Sequence, residues 1–332
     1  MLKNFHYNCN KLGNIRNLKI EQIKIKSLKK NNVRVEIQAI GINYVDILMI
    51  KGNYQHKTLP PFTPGIEACG IIVEENCNNK RLINKKVIIN KKGGCFSEEI
   101  VLHLDEVIII PLAIDSALAA GAFINTLTSY VSLCEIVKLK KNQNILITGA
   151  SGGVGSASIK LAKSIGANVI AIVSNKNKET FVKKLGANKT IMLNSNELED
   201  ISSYRKKYQI DIILDINGLI KTKKILSFLK WNGKYIIVGF MDKNYYNLPA
   251  QHILIKGLSV FGVRAGEYLK KNINKKEIIY KVLKIIKKNT INSIDYKLVD
   301  FRDLKKSLIN LKNRTSVGKY IVITKFYKKI YK

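Results

Sequence analysis

Asn144-Ile145-Leu146-Ile147-Thr148-Gly149-Ala150-Ser151-Gly152-Gly153-Val154-Gly155 is the stretch that decides the fold of this chain. An apolar run of strand length leads straight into a glycine-rich turn, and the residues that follow have helical spacing. The pattern matches the dinucleotide fingerprint, with Ala150 in the first glycine slot, Gly152 in the second and Gly155 in the third. At Gly152 the missing Cβ lets the backbone approach a pyrophosphate, and at Gly155 it lets the helix pack closely on the strand. The helix start then offers unpaired N–H groups and a partial positive charge to phosphate oxygens, so Ser151, Gly152, Gly153, Val154 and Gly155 are expected cofactor contacts. A glycine triad alone also fits an ordinary strand-to-helix turn; the strand before it and the helix and second strand after it favour the cofactor site.

Outward from the loop, strands and helices alternate. A helix over Val154 to Ile165 precedes a strand over Asn168 to Val173, and a helix over Glu179 to Leu185 follows. A strand over Asp211 to Leu214, a helix over Leu219 to Leu229 and a strand over Tyr235 to Val238 continue the series. Strand and helix at this spacing predict an α/β fold with a doubly wound parallel sheet. The second strand selects the nicotinamide cofactor. An NAD site usually carries an acid there, about twenty residues past the glycines, for the ribose 2′-OH. Here the strand runs into Ser174-Asn175-Lys176-Asn177-Lys178, with no acid before Glu179. Ser174 and Lys178 can donate to a 2′-phosphate, which favours NADPH; the alternative for Lys178 is a solvated lysine in a lysine-rich chain.

The first 115 or so residues give short β-type runs, such as Val33 to Ile37 and Lys86 to Ile89, broken by Gly, Pro and Asn. After residue 262 come two helical patterns, Lys276 to Ile286 and Leu304 to Leu311, and a terminal strand, Lys319 to Ile323, whose most economical home is the N-terminal β body. With 332 residues, 46% of them hydrophobic, the composition is that of a globular protein of about two domains. The longest apolar runs, Val107 to Ile110 among them, fall far short of the roughly 20 residues that cross a bilayer. No membrane insertion is expected, and without an apolar signal-peptide core near the start a cytoplasmic location is. The formal charge of +33 comes from lysines dispersed along the chain, which points to solvated faces and not to a specific nucleic-acid site. Cys9, Cys69, Cys77, Cys95 and Cys134 form no C-x-x-C pair, so neither a disulfide framework nor a four-thiolate zinc site is indicated.

Further motifs lie in order along the chain: Gly41-Ile42-Asn43-Tyr44-Val45-Asp46, Gly52-Asn53-Tyr54, Pro64-Gly65-Ile66-Glu67-Ala68-Cys69-Gly70, and Thr126 to Tyr130. The loop itself, Val238-Gly239-Phe240, Phe261 to Tyr268 and Thr315-Ser316-Val317-Gly318-Lys319 complete the series. With these, nearly the whole chain resembles the medium-chain dehydrogenase/reductase superfamily, and within it the NADPH:quinone oxidoreductases that lack zinc. The resemblance implies a GroES-like β domain, from residues 1–120 and 263–332, with a Rossmann domain inserted over residues 121–262. It also implies an active site in the cleft between them, and a homodimer.

Zinc-dependent relatives carry Cys where this chain has Asn43 and His where it has Ile66, and neither residue here replaces a thiolate or an imidazole at zinc. No metal is therefore expected. By resemblance Asn43 lies beside the nicotinamide and Tyr54 lines the substrate pocket as a hydrogen-bond donor. Asp46 is a candidate for the catalytic set, and equally a helix or turn cap. Thr128, Gly239, Phe240, Gly262 and Val263 are expected at the cofactor; Arg314 and Lys319 are read either as cofactor contacts or as surface cations. Two departures from the family pattern are Leu48, where some members have a second pocket tyrosine, and Leu193, near which some carry an aromatic that packs on the adenine.

The function implied is hydride transfer from NADPH to a quinone or similar small conjugated carbonyl. Reduction of an enoyl thioester or enone at its carbon–carbon double bond is the alternative within the class. A catalytically silent NADPH-binding protein is the alternative outside it.

Overall fold

The computed structural model describes residues 4–24, 27–78, 81–193, 209–218, 222–241, 247–288 and 296–328. The chain divides into two compact units, residues 1–123 with 291–332, and residues 124–290.

In the second unit six parallel strands form one sheet. Counted along the chain they are Asn144–Ile147, Asn168–Val173, Lys189–Met192, Ile210–Asp215, Leu229–Ile237 and Ser259–Gly262, and their spatial order is 3-2-1-4-5-6. That is the dinucleotide-binding order, with its reversal between the first and fourth strands. Leu146, Ile170, Ile213 and Tyr235 lie in one buried apolar cluster, as the near-continuous apolar runs of a two-sided parallel sheet require. The helix Gly153–Ile165 follows the glycine loop and ends on Gly166, whose left-handed backbone closes it. The helix Lys176–Lys184 starts three residues before the expected Glu179, because the Asn175 side chain caps it by accepting the Lys178 backbone N–H at 3.0 Å. Of the expected helix Leu219 to Leu229, residues 219–221 lie outside the described residues; Thr222–Leu226 is helical and Leu229 already opens a strand.

The first unit is a seven-stranded sheet beside a two-stranded hairpin. Its central strand, Asn32–Gly41, pairs antiparallel with three neighbours: Glu67–Asn76, Glu99–His103 and the late strand Lys319–Ile323. Lys319–Ile323 thus joins the N-terminal β body as its pattern suggested, and it brings Tyr296–Asp300 alongside in parallel. Val33, Val35, Ile37 and Ile40 are fully buried in the core of this unit.

Two features differ from the sequence expectation. Residues 263–290, assigned above to the β body, fall in the compact unit that holds the parallel sheet. There the helices Ala265–Lys271 and Lys275–Lys288 pack, and the Tyr268 hydroxyl donates to the Glu135 carboxylate at 3.1 Å. The second is a continuous helical run, Ser116–Ile136, 21 residues long and apolar enough to cross a membrane by length and composition alone. Most of it is buried inside the protein, 83% over its most apolar window, which identifies a core helix. Its small polar residues conceal the length in sequence: Ser129 and Ser132 bond to helix carbonyls at 2.9 and 2.7 Å and so satisfy themselves while buried.

Candidate active site

Each unit concentrates chemistry at one place. In the nucleotide unit that place is the carboxyl edge of the parallel sheet. Past the first strand comes the loop Gly149 to Gly155, past the second Ser174, past the fifth Gly239 and Phe240, and at the end of the sixth Gly262 and Val263. The geometry separates the two loop glycines by role. A Cβ on Gly155 would sit 2.4 Å from the Gly149 carbonyl oxygen and 2.6 Å from Ala150, so the protein's own packing demands glycine there. A Cβ on Gly152 would meet only the Gly149 carbonyl oxygen, at 3.3 Å. Apart from its chain neighbours, no other described residue comes within 4 Å of a Cβ placed on Gly152, and that cradle beside a helix N-terminus suits a pyrophosphate.

Ser174 and Lys178 also come together. The Lys178 ammonium lies 3.0 Å from the Ser174 hydroxyl, and the residue is otherwise buried. Glu179, the first acid after the strand, is engaged elsewhere: Lys183, Lys176 and Thr190 hold its carboxylate, and their hydrogen bonds pull it down to about 2. Among the described residues this strand end offers two donors and no free carboxylate, which suits a phosphate better than a bare ribose diol. The Thr128 hydroxyl bonds back to the Ile124 carbonyl at 2.8 Å, and Val263 is tied to the sheet by its N–H on the Ile237 carbonyl.

In the β unit, antiparallel pairing puts the end of Asn32–Gly41, the start of Glu67–Asn76 and the start of Lys319–Ile323 at one edge. Here Glu67, with no exposed surface, accepts the Lys319 ammonium at 2.9 Å and the Asn43 side-chain N–H at 3.0 Å through the same oxygen. Lys319 donates a second bond to Asn43 Oδ1 at 2.7 Å, and Asn43 Nδ2 also reaches the Gly41 carbonyl at 3.2 Å. Gly41 is glycine because a Cβ there would stand 2.2 Å from the Ala120 carbonyl oxygen and 2.6 Å from that same Glu67 oxygen. Asp46 sits at the third position of the helix Tyr44–Ile50 and closes a capping box, accepting the Asn43 backbone N–H at 2.7 Å. Burial pushes its carboxyl up to about 7 against the opposing pull of that N–H and of the Lys319 charge.

Glu67 is the residue that sequence reading left without a role, although it stood in the quoted Pro64 to Gly70 motif. A lone acid between a β-turn and an apolar strand was the available signal, since such a residue is buried only when paired. Lys319 is placed as the partner of Asn43 and Glu67. Tyr54 is half-buried in the irregular segment after the Tyr44–Ile50 helix, and Arg314 is exposed with a left-handed backbone after the helix Leu304–Lys312. Burial also pushes the Cys69 thiol up to about 12, so it is no nucleophile. Among the described residues no group of His, Cys, Asp and Glu is arranged to hold a metal ion.

Two family models match the chain, the alcohol dehydrogenase GroES-like domain over residues 29–112 and the zinc-binding dehydrogenase over residues 153–287. The quinone oxidoreductase-like protein 2 homolog of Nematostella vectensis is 32% identical over 267 residues, covering 79% of this chain and 72% of that protein. The chain belongs to the quinone oxidoreductase family of medium-chain dehydrogenase/reductases. It is thus an oxidoreductase of that superfamily. Among solved structures, Escherichia coli quinone oxidoreductase complexed with NADPH superposes with a TM-score of 0.84 at 22% identity, over 96% of this chain and 99% of that one. The CurK enoyl reductase superposes with a TM-score of 0.81 at 20% identity, over 97% and 99%. At these identities the two structures establish the fold: a GroES-like domain with a Rossmann sheet.

Proposed function

We propose that the chain is an NADPH-dependent reductase that works without zinc and delivers a hydride to a quinone or a similar small conjugated carbonyl. The observation that carries this reading is the open cradle over Gly152 beside the Ser174–Lys178 pair, which together match a dinucleotide bearing a 2′-phosphate. The cofactor, when bound, supplies the hydride. Ser151 to Gly155 would hold its pyrophosphate by backbone N–H groups, and Ser174 and Lys178 its 2′-phosphate. Gly239, Phe240, Gly262 and Val263 would line the same sheet edge, with Thr128 a further cofactor contact.

In the β unit the hydrogen bonds limit what Asn43 can do. Both N–H groups of its amide are engaged, by Glu67 and by the Gly41 carbonyl, and Lys319 takes one lone pair of its oxygen. Asn43 therefore has only an acceptor left to offer, suited to a carboxamide N–H and not to a substrate oxygen. Polarising the substrate oxygen falls to the Tyr54 hydroxyl, as the donor that would stabilise the negative charge developing there. Asp46 acts as the cap that sets the entry of its helix. At the two positions where zinc relatives ligate, Asn43 and Ile66 supply neither thiolate nor imidazole.

The test is steady-state NADPH oxidation against a panel of quinones, enones and enoyl thioesters, before and after exhaustive chelation, in the wild type and in Tyr54→Phe. Quinone turnover that survives chelation and drops roughly ten- to a thousandfold in kcat without the hydroxyl is expected. Turnover confined to enoyl thioesters moves the assignment to double-bond reduction. Turnover that chelation abolishes refutes the metal-free reading, and binding of NADPH without turnover leaves a silent binder.

A further inference from the structure

The spatial order of the parallel sheet reverses between the strands Asn144–Ile147 and Ile210–Asp215, and ligands of such sheets bind at that switch point. On the Ile210–Asp215 side the chain leaves through Ile216, Asn217 and Gly218. This turn is pinned from every side. Asp215, fully buried, accepts the Thr148 hydroxyl at 2.6 Å, the Tyr235 hydroxyl at 2.6 Å and the Gly218 N–H at 3.1 Å. Thr148 in turn accepts the Ile216 N–H at 2.9 Å, and the Asn217 backbone carbonyl accepts the Met241 N–H at 3.1 Å.

The Asn217 side chain stands apart from this network. Its carboxamide lies against the glycine that opens the loop, so that a Cβ on Gly149 would meet its Cγ, Nδ2 and Oδ1 at 3.1–3.2 Å. Oδ1 is shut off from water and has no hydrogen-bond partner among the described residues. Exchanging the two ends of the amide changes little, because a dry N–H would then be the orphan. A buried polar atom without a partner lowers stability, and an apolar side chain of similar size would not, so folding alone gives no reason for asparagine here.

We propose that Asn217 is a cofactor contact, and that its carboxamide bonds a ribose hydroxyl of the dinucleotide. The inference rests on Gly149 to Gly155 being the dinucleotide loop. The chemistry picks out the hydroxyl. Pyrophosphate oxygens only accept, and the backbone N–H groups at the helix start already serve them. A dry carbonyl needs a donor, and a hydroxyl both gives and takes, as a carboxamide does. The torsion about the Asn Cβ–Cγ bond is soft, so the carbonyl turns out of its dry seat when a donor arrives. The energy lost in the free protein is thereby recovered in the complex.

The experiment pairs NADPH titration with thermal unfolding of the cofactor-free protein, in the wild type, Asn217→Leu and Asn217→Asp. Leucine removes the orphan and keeps most of the volume. Its variant is expected to melt no lower than the wild type, while NADPH binds about three- to tenfold more weakly, the worth of one neutral hydrogen bond. Aspartate keeps an acceptor and is expected to bind more tightly than leucine. Titration with 2′,5′-ADP, which lacks the nicotinamide ribose, assigns the sugar: a loss that persists in the leucine variant places the bond on the adenosine side. A lower melting temperature with unchanged NADPH affinity would make Asn217 a packing residue and overturn the proposal. So would aspartate binding more weakly than leucine, because that signals a phosphate neighbour. If the leucine variant fails to fold, the comparison of aspartate with the wild type decides. Failure of the loop reading looks different, since the wild type itself would then not bind NADPH.

Discussion

Asp46→Asn should change how the stability of this protein depends on pH, because the Asp46 carboxyl is fully buried and held up at about 7 where its ordinary value is 3.8. Below pH 3.8 the group is neutral in the folded and the unfolded chain alike and favours neither. Between 3.8 and about 7 the unfolded chain releases its proton while the folded chain keeps it, so stability falls as pH rises. Above about 7 the loss is complete. The gap from 3.8 to about 7, at about 1.4 kcal/mol per tenfold change in proton affinity, sets a ceiling of about 4 kcal/mol. The Asn43 N–H and Lys319 interactions are already contained in that gap, since both pull the carboxyl down. Asparagine is isosteric, never ionises and can still accept the Asn43 backbone N–H, so it removes the titration while keeping the cap. Urea unfolding followed by far-UV circular dichroism, without cofactor, at pH 5 and pH 8 reads the effect. The wild type should lose stability relative to the variant between the two, by a few kcal/mol at most. A difference that does not vary with pH, or that grows in the wild type's favour as pH rises, would refute the account of Asp46 as a carboxyl buried at an energetic cost.

Three further outcomes follow from particular contacts. Lys178→Glu should weaken NADPH selectively over NADH, measured by parallel titrations at moderate ionic strength; an equal loss for both would make Lys178 a general electrostatic contributor. Gly152→Val should abolish cofactor binding while the unliganded protein keeps its melting temperature, whereas Gly155→Val should not fold, its Cβ having no room beside Gly149 and Ala150; normal NADPH binding in the Gly152 variant would overturn the cradle. Lys319→Met leaves the Glu67 carboxylate buried without its cation and should cost about 3–5 kcal/mol in urea unfolding at pH 7, and a loss under about 1 kcal/mol would show that the pair is not a buried ion pair.

The amino-acid sequence by itself determined whatever is local along the chain. Gly149 to Gly155 could be read because strand, turn and helix start are contiguous, and each glycine slot constrains only its near neighbours. Ser174 and Lys178 could be paired because they stand four residues apart at a helix start, where geometry brings such residues together. The strands Asn168 to Val173 and Lys319 to Ile323 were legible from runs of apolar residues of strand length, and both have the observed bounds. Tertiary structure decided what depends on which distant segment arrives. Lys319 reads either as a cofactor contact or as a surface cation until antiparallel pairing sets it on Glu67, 252 residues away in sequence. Residues 263–290 read as part of the β body until their helices pack in the nucleotide unit. Strands as short as Lys189–Met192 and Ser259–Gly262 carry too few residues for a period to show, and only their neighbours' hydrogen bonds define them. Asn217 carries no signal in sequence, because its meaning lies in a carboxamide set against Gly149 with its oxygen dry. Which polar atoms end up paired is settled only when the chain has closed around them.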